Sequence, residues 1–212
     1  MTTTILAVLA GAFALADWWA TWERRRQVRY VTKPAVLALL VVIAATLEPF
    51  DDTVRTWMVV GLVLSLLGDI FLLGDGKGPF IGGLTAFLLG HVAYVVAMQQ
   101  APRSVPWTLI GLAIVLLSVA TVGRRIVSGV AGLDEKELVP AVVAYLVVIS
   151  AMVVSAFGTK APWAIVGAAL FYASDATLAW NRFLEERRFG PLAVMVTYHL
   201  GQAGLVVWLV TG

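Results

Sequence analysis

Residues 55–73, RTWMVVGLVLSLLGDIFLL, form an apolar run of the length that a helix needs to cross a bilayer, and one acid, Asp69, interrupts it. The stretch 168–180, AALFYASDATLAW, repeats this arrangement around a second acid, Asp175. A carboxylate at bilayer-centre depth costs about 2.5–3.5 kcal/mol on insertion scales, so an acid in such a run is a functional-site candidate. Two acids in matching contexts predict a pair.

The composition of the chain is that of a membrane protein. Of its 212 residues, 60% are hydrophobic and only 13% are charged. The sequence has no cysteine, which excludes disulfide and thiolate chemistry. The net charge of +2 is small and its basic residues lie between apolar runs, so we expect topology determinants and no nucleic-acid partner.

Apolar runs of roughly helical membrane-spanning length recur along the whole chain. They cover approximately residues 3–20, 33–48, 55–73, 79–98, 106–122, 138–156, 162–181 and 190–210. None has the alternating polarity of a membrane barrel, and backbone hydrogen bonding in lipid then requires helices. The connections are too short for a second domain. The predicted fold is therefore an all-α integral membrane protein, one transmembrane domain over residues 1–212 with a bundle of eight helices.

The distribution of basic residues predicts the orientation. All but three of the 15 lysines and arginines lie after the odd-numbered predicted helices, the exceptions being Arg55, Arg103 and Lys160. The positive-inside rule places the odd-numbered loops in the cytoplasm and both termini outside. We expect a multi-pass protein of a bacterial cell membrane.

A weak internal sequence repeat relates the two halves of the chain. Asp69 is followed after a Gly-Pro turn by His91, and Asp175 is followed after a similar turn by His199. Four predicted helices separate the two copies, so both copies have the same orientation. The pattern predicts a parallel repeat of four plus four helices.

Other polar residues accompany the two acids at similar depth. Tyr94 follows His91 by three residues and Gln202 follows His199 by three, so each pair shares a helix face. Lys33, beside Pro34, is placed at the start of the second helix. At about 1.5 Å per residue, these groups lie between the cytoplasmic face and the midplane, which predicts a shared pocket open to the cytoplasm.

Structural interpretations of the same residues stay open. Each acid alone is explained by pairing with a lysine or histidine that holds helices together, and each tyrosine by ordinary packing. Asp17, near a helix end, is assigned no role. The histidines and acids have no metal-ligand spacing and GDGKG at 74–78 lacks the phosphate-loop pattern, so neither a metal nor a cofactor is predicted.

Several segments together resemble the YhhN family, the lysoplasmalogenases. They are Lys33-Pro34, GDIFLL at 68–73, GHVAY at 90–94, LFYASDATLA at 170–179 and YHLGQ at 198–202, and the similarity runs from about residue 30 to the C-terminus. The resemblance implies an eight-helix membrane enzyme. It implies hydrolysis of the vinyl ether bond of lysoplasmalogens to a fatty aldehyde and glycerophosphocholine or glycerophosphoethanolamine.

The resemblance also implies which residues form the site. Asp69 and Asp175 match the motif acids and are the expected catalytic pair. The remaining matches are the expected lysophospholipid-binding residues: Lys33, His91, Tyr94, Ser174, Tyr198, His199 and Gln202.

Acid-catalysed vinyl ether hydrolysis needs a proton donor and a negative group that stabilises the resulting cation, which two carboxyl groups in different surroundings supply. Asp175 is expected to be the more anionic acid, because adjacent Ser174 is able to donate a hydrogen bond to it.

Two other classes of protein remain open from the residues alone. One is a small-molecule or proton-coupled transporter that uses the acids as proton carriers, and the other is a metal-dependent lipid hydrolase. The oligomeric state is not predicted.

Overall fold

The computed structural model of the chain describes residues 2–133 and 136–212, and these residues contain helices and connecting turns but no β-strand. The α-helices are α1 (Thr2–Trp22), α2 (Arg26–Thr46), α3 (Asp52–Phe71), α4 (Lys77–Gln100), α5 (Val105–Ser118), α6 (Arg124–Gly132), α7 (Val139–Thr159), α8 (Pro162–Phe183) and α9 (Gly190–Thr211). A 3₁₀ turn, Lys136–Leu138, precedes α7. The predicted all-helical class is confirmed.

Helices α5 and α6 form one continuous rod. A π-helical turn, Val119–Gly123, joins them without a break, so the rod covers Val105–Gly132. The described residues therefore form eight helical rods, in the order that the sequence predicts. One local prediction is wrong: α2 begins at Arg26, which puts Lys33 and Pro34 inside the helix instead of at its start.

Seven of the eight rods are long and apolar enough to cross a membrane, so the chain is a multi-pass integral membrane protein. The rod outside this group is α8, which at 22 residues has sufficient length. Polar groups along its sequence, among them Ser174, Asp175 and Asn181, lower its hydropathy. The rod that does not meet the combined length and hydropathy criteria for a membrane span is thus the one that bears the second acid.

The most buried of the seven candidate spans is α9, whereas the α5–α6 rod is the least buried. Glycines bring α9 close to α8: a Cβ at Gly167 would lie 2.8 Å from the Leu205 backbone nitrogen and 2.9 Å from the Gly201 carbonyl oxygen. Helices α3 and α4 approach similarly, since a Cβ at Gly90 would lie 3.2 Å from the Gly61 carbonyl oxygen. Small residues of this kind let membrane helices pack closely. The two closely packed helix pairs, α3–α4 and α8–α9, carry the two acids and both histidines.

Candidate functional site

Asp69 and Asp175 line one cavity. This cavity, which we call the acid chamber, has a volume of 340 Å³ and lies among α2, α3, α4, α8 and α9. Lys33, Ser174 and Tyr198 also line it. The structure therefore brings together both predicted catalytic acids and three of the seven predicted binding residues, although 106 positions separate the acids in sequence.

Asp69 is buried and lies next to a cation. Its Oδ1 is 3.1 Å from the Lys33 Nζ, and both side chains are almost fully enclosed. Its Oδ2 accepts a hydrogen bond of 2.9 Å from the Tyr198 hydroxyl. An adjacent ammonium and a hydroxyl donor both favour the charged form of a carboxylate. The two contacts of Asp69 therefore favour its ionised form.

Asp175 has neutral partners instead. The Tyr145 hydroxyl donates a hydrogen bond to its Oδ2, and the His91 Nε2 lies 3.7 Å from the same oxygen. The expected donor, Ser174, does not serve it: the Ser174 hydroxyl donates to the Val194 carbonyl oxygen at 3.0 Å. The expected hydrogen bond from Ser174 to Asp175 is not formed, because the serine hydroxyl points from α8 toward α9.

Tyr94 and Gln202 form a buried hydrogen-bonded pair behind the chamber. The Tyr94 hydroxyl donates to the Gln202 Oε1 at 2.7 Å and lies 3.4 Å from the Ser65 hydroxyl. The Tyr94 ring fits because Gly61 has no side chain; a Cβ there would lie 2.2 Å from the ring. The two predicted residues thus link α4 to α9 and do not line the acid chamber.

His199 is separate from the acids. Its Nδ1 accepts a hydrogen bond of 3.0 Å from the Trp18 Nε1, which ties α9 to α1. The neighbouring residue, Tyr198, is the one that reaches Asp69. Successive residues on a helix point about 100° apart, so only one of the two is able to face the chamber.

A narrow apolar slot of 80 Å³ opens beside the acid chamber. It lies among α4, the α5–α6 rod, α7 and α8, and Tyr145 and Ile149 line it. The two spaces share a wall formed by Leu72, Phe80, Phe87, Asp175, Leu178 and Arg182. Asp175 therefore lies at the junction between a polar chamber and an apolar slot.

The slot in turn adjoins a larger groove on the flank of the bundle, which we call the lateral groove. It has a volume of 780 Å³ and lies between α4, the α5–α6 rod and α7. Gly123, at the end of the π turn, and Leu146 line both spaces. π-Helical turns inside α-helices are frequent at functional sites.

A basic vestibule of 440 Å³ adjoins the chamber on another side. Four arginines line it: Arg24, Arg26, Arg29 and Arg188. The wall that it shares with the acid chamber consists of Arg29, Leu72, Leu73, Glu186 and Pro191. The vestibule, the acid chamber and the slot thus form a series from basic to acidic to apolar.

Three residues near the site were not identified from the sequence. Tyr145 was indistinguishable from the apolar residues around it, although a phenol in the middle of a membrane helix is itself an indication. Trp18 and Asp17 belong to the first helix, which the family resemblance does not include. Asp17 was assigned no role, but it is fully buried and bonded to Arg29 and Thr32.

The histidine, aspartate and glutamate side chains of residues 2–133 and 136–212 form no group of three or more that could hold a metal ion.

The fold and the site define a class: a multi-pass helical membrane protein with paired acids in an internal cavity. The sequence profile of the YhhN family matches residues 28–209. The chain belongs to the YhhN family, as its motifs predicted. The matched region includes Lys33 and both acids but leaves out α1.

Several proteins of known name are similar to this chain. A lysoplasmalogenase of Mycobacterium bovis is 34% identical over 177 residues, which are 82% of this chain and 66% of that protein. The human lysoplasmalogenase TMEM86B is 32% identical over 143 residues, 66% of this chain and 58% of its own length. The mouse lysoplasmalogenase TMEM86B is 29% identical over 192 residues, 89% of this chain and 78% of its own length. The chain thus spans a little under two thirds of the mycobacterial relative, and no solved structure matches it.

Proposed function

We propose that this protein is a lysoplasmalogenase-like hydrolase that cleaves the vinyl ether bond of a lysophospholipid inside the membrane. The names of its relatives support the reaction. The observation that carries the residue assignment is the acid chamber, where two buried carboxyl groups face one space with different partners. The products are a fatty aldehyde and a glycerophospho-alcohol.

The two acids have different roles in this proposal. Asp69, 3.1 Å from the Lys33 ammonium, is the carboxylate. Asp175 contacts a tyrosine hydroxyl and a histidine ring where Asp69 contacts an ammonium, and burial among apolar groups favours the neutral acid. In the neutral acid, Oδ2 accepts from Tyr145 and Oδ1 carries the proton. Pairs of acids with contrasting surroundings are the usual acid–base arrangement.

The reaction proceeds by proton transfer to carbon. Asp175 gives its proton to the β-carbon of the vinyl ether, and the ether oxygen stabilises the cation that forms at the α-carbon. The Asp69 carboxylate stabilises this oxocarbenium ion electrostatically. Water adds to the α-carbon, loses a proton to one of the two carboxylates, and the hemiacetal collapses to the aldehyde and the free glycerol hydroxyl.

The four adjoining spaces match the parts of a lysolipid. The apolar slot receives the alkenyl chain next to the double bond, and Asp175 at its entrance lies beside the reacting carbons. At about 30 Å³ per water-sized group, 80 Å³ holds only the first part of a chain, so the rest of the tail continues past Leu146 into the lateral groove. The polar head group lies toward the basic vestibule.

The orientation in the membrane follows the basic residues. The vestibule carries four arginines, and the positive-inside rule then makes its side the cytoplasmic one. We place α8 across the membrane with the other seven rods, since its 22 residues are sufficient and α9 covers its polar face. Both termini then lie outside the cytoplasm of a bacterial cell.

The contacts of the two acids support the proposed four-plus-four repeat. Asp69 on α3 contacts Lys33 on the preceding helix and Tyr198 on α9. Asp175 on α8 contacts Tyr145 on the preceding helix and lies near His91 on α4. Each acid thus has one partner in its own half and one on the last helix of the other half. The equivalent of His91 in this arrangement is Tyr198, not His199.

The test is product identification with purified protein. We expect a 1-alkenyl lysophospholipid to yield a fatty aldehyde by mass spectrometry, whereas the matching 1-alkyl lysolipid, which lacks the double bond, yields nothing. In D₂O the trapped aldehyde should carry one deuterium on the carbon next to the carbonyl group, because the proton is delivered there. The proposal fails if a folded preparation releases no aldehyde from the alkenyl substrate.

The same preparation tests the other two classes. A transporter moves a solute across proteoliposomes without forming product, and a metal-dependent hydrolase loses its activity with a chelator. We expect aldehyde release that a chelator does not change.

A further inference from the structure

Helix α1 places a buried carboxylate against Arg29, which lies between the basic vestibule and the acid chamber. Asp17 on α1 has no exposed surface. Its Oδ1 accepts hydrogen bonds from the Arg29 Nε at 3.3 Å and from the Thr32 hydroxyl at 3.0 Å. Even a paired buried carboxylate adds little net stability, because both charges lose their water, so stability alone does not explain this arrangement.

The partner of Asp17 lies where the two spaces meet. Arg29 lines both the vestibule and the acid chamber, and its side chain is 24% exposed, so a ligand is able to reach it. Asp17 contacts Nε, and the described residues offer the Arg29 side chain no other hydrogen bond or ion pair. A guanidinium has five N–H donors in a fixed fork that fits a phosphate. The two terminal amino groups of Arg29 are thus left for a ligand.

Two other cations nearby, Lys33 and Arg26, are already engaged. The Lys33 ammonium contacts Asp69 at 3.1 Å. Arg26 contacts Asp75 at 2.8 Å and donates to the Leu73 carbonyl oxygen at 2.7 Å. Of these three cations, Arg29 is the one with a fixed position and available donors.

We infer that Arg29 binds the phosphate of the lysolipid head group and that Asp17 is its positioning residue, an inference that rests on the proposed function. Arg29 precedes Lys33 by one helical turn, about 6 Å along the α2 axis. Three glycerol carbons and one oxygen separate the phosphorus from the vinyl ether oxygen and cover a comparable distance. A phosphate on Arg29 thus puts the vinyl ether at the level of Lys33 and Asp69.

The surroundings of Arg29 also suit a zwitterionic head group. Glu186 lines the same wall between the vestibule and the chamber. A guanidinium and a carboxylate on one wall complement a phosphate that carries a choline or ethanolamine group.

Binding measurements test this inference without turnover. The probes are a 1-acyl lysophosphatidylcholine, which has no vinyl ether, and the monoacylglycerol of the same chain length, which has no phosphate. We expect wild-type protein in detergent micelles to bind the lysophosphatidylcholine at least tenfold more tightly by titration calorimetry. Arg29→Gln should lose this preference and keep its affinity for the monoacylglycerol, which also shows that the variant is folded.

Two further variants separate positioning from general stability. Arg29→Lys should keep part of the preference, since the charge remains while the fork is lost. Asp17→Asn should weaken binding of the phosphate lipid about tenfold and, where turnover is measurable, raise KM for the alkenyl lysolipid with kcat nearly unchanged. Arg55→Gln, which removes an arginine paired with Asp52 far from the vestibule, is the matched control and should change nothing.

The inference is overturned if Arg29→Gln retains the wild-type preference, or if it weakens binding of both lipids equally. Since neither probe is cleaved at a vinyl ether, a failure of the proposed reaction leaves this result interpretable. Loss of aldehyde release with intact phosphate selectivity would count against the reaction alone.

Discussion

Replacement of Lys33 by methionine removes the cation next to Asp69 and tests the assignment of Asp69 as the carboxylate. At 3.1 Å and an effective dielectric constant of 20, the attraction between the two charges is about 5 kcal/mol. Removal of one partner from a buried ion pair typically costs about 3–5 kcal/mol, because a charge is left uncompensated. We expect Lys33→Met to lower the free energy of unfolding by about 3 kcal/mol at neutral pH, and by less at acidic pH, where Asp69 takes up a proton.

The assay is unfolding in mixed micelles with increasing SDS, followed by tryptophan fluorescence, together with aldehyde release. The double variant Lys33→Met/Asp69→Asn leaves no unpaired buried charge, so its free energy of unfolding should lie within about 2 kcal/mol of the wild-type value. The coupling energy between the two sites should therefore exceed about 1 kcal/mol. Aldehyde release should fall at least about a hundredfold in the single variant, since an Asp69 carboxylate without its paired ammonium is no longer held in place to stabilise the cation. Additive effects of the two substitutions would refute the ion-pair reasoning.

Three other predictions concern the surroundings of Asp175 and the packing of its helix. Tyr145→Phe removes the hydroxyl that donates a hydrogen bond to Asp175 and should lower kcat about 10–100-fold in steady-state aldehyde release. The control, Tyr172→Phe, loses only a hydrogen bond with Ser118 and should keep a kcat near that of the wild type. Gly167→Ala puts a Cβ 2.8 Å from α9 backbone and should destabilise the protein by about 1–3 kcal/mol in SDS titration, while Gly11→Ala meets nothing within 4 Å and should be neutral or slightly stabilising. Leu146→Trp narrows the passage from slot to groove and should slow long-chain substrates about tenfold more than short-chain ones; equal slowing would contradict the proposed tail path.

Hydropathy and charge were sufficient to predict the helical class and to single out Asp69 and Asp175, which line one cavity. An acid in a long apolar run is conspicuous whatever its neighbours are, and the motifs around both acids also sufficed for the family. These properties are local in sequence, so no knowledge of packing is needed to see them.

The partners of the acids depend on packing that hydropathy does not report. Counting residues gives the depth of Tyr198 and His199 but not their direction, and the rotation of α9 decides that the tyrosine meets Asp69. The bond from Tyr145 to Asp175 depends in the same way on how α7 faces α8. The apolar residues of α2 indicate a start at residue 33, but the helix begins about two turns earlier, at Arg26. This earlier start includes charged residues such as Arg29 in the helix and places Lys33 within reach of Asp69.

The most direct test of the central claim is a comparison of Asp69→Asn and Asp175→Asn with wild-type protein for aldehyde release from a 1-alkenyl lysophospholipid. Both variants should bind the non-cleavable 1-alkyl lysolipid with near wild-type affinity, which confirms that each has folded. We predict that each releases aldehyde at least about a thousandfold more slowly, because one lacks the stabilising carboxylate and the other the proton donor. A folded variant of either acid that works within tenfold of the wild-type rate would contradict the acid–base pair.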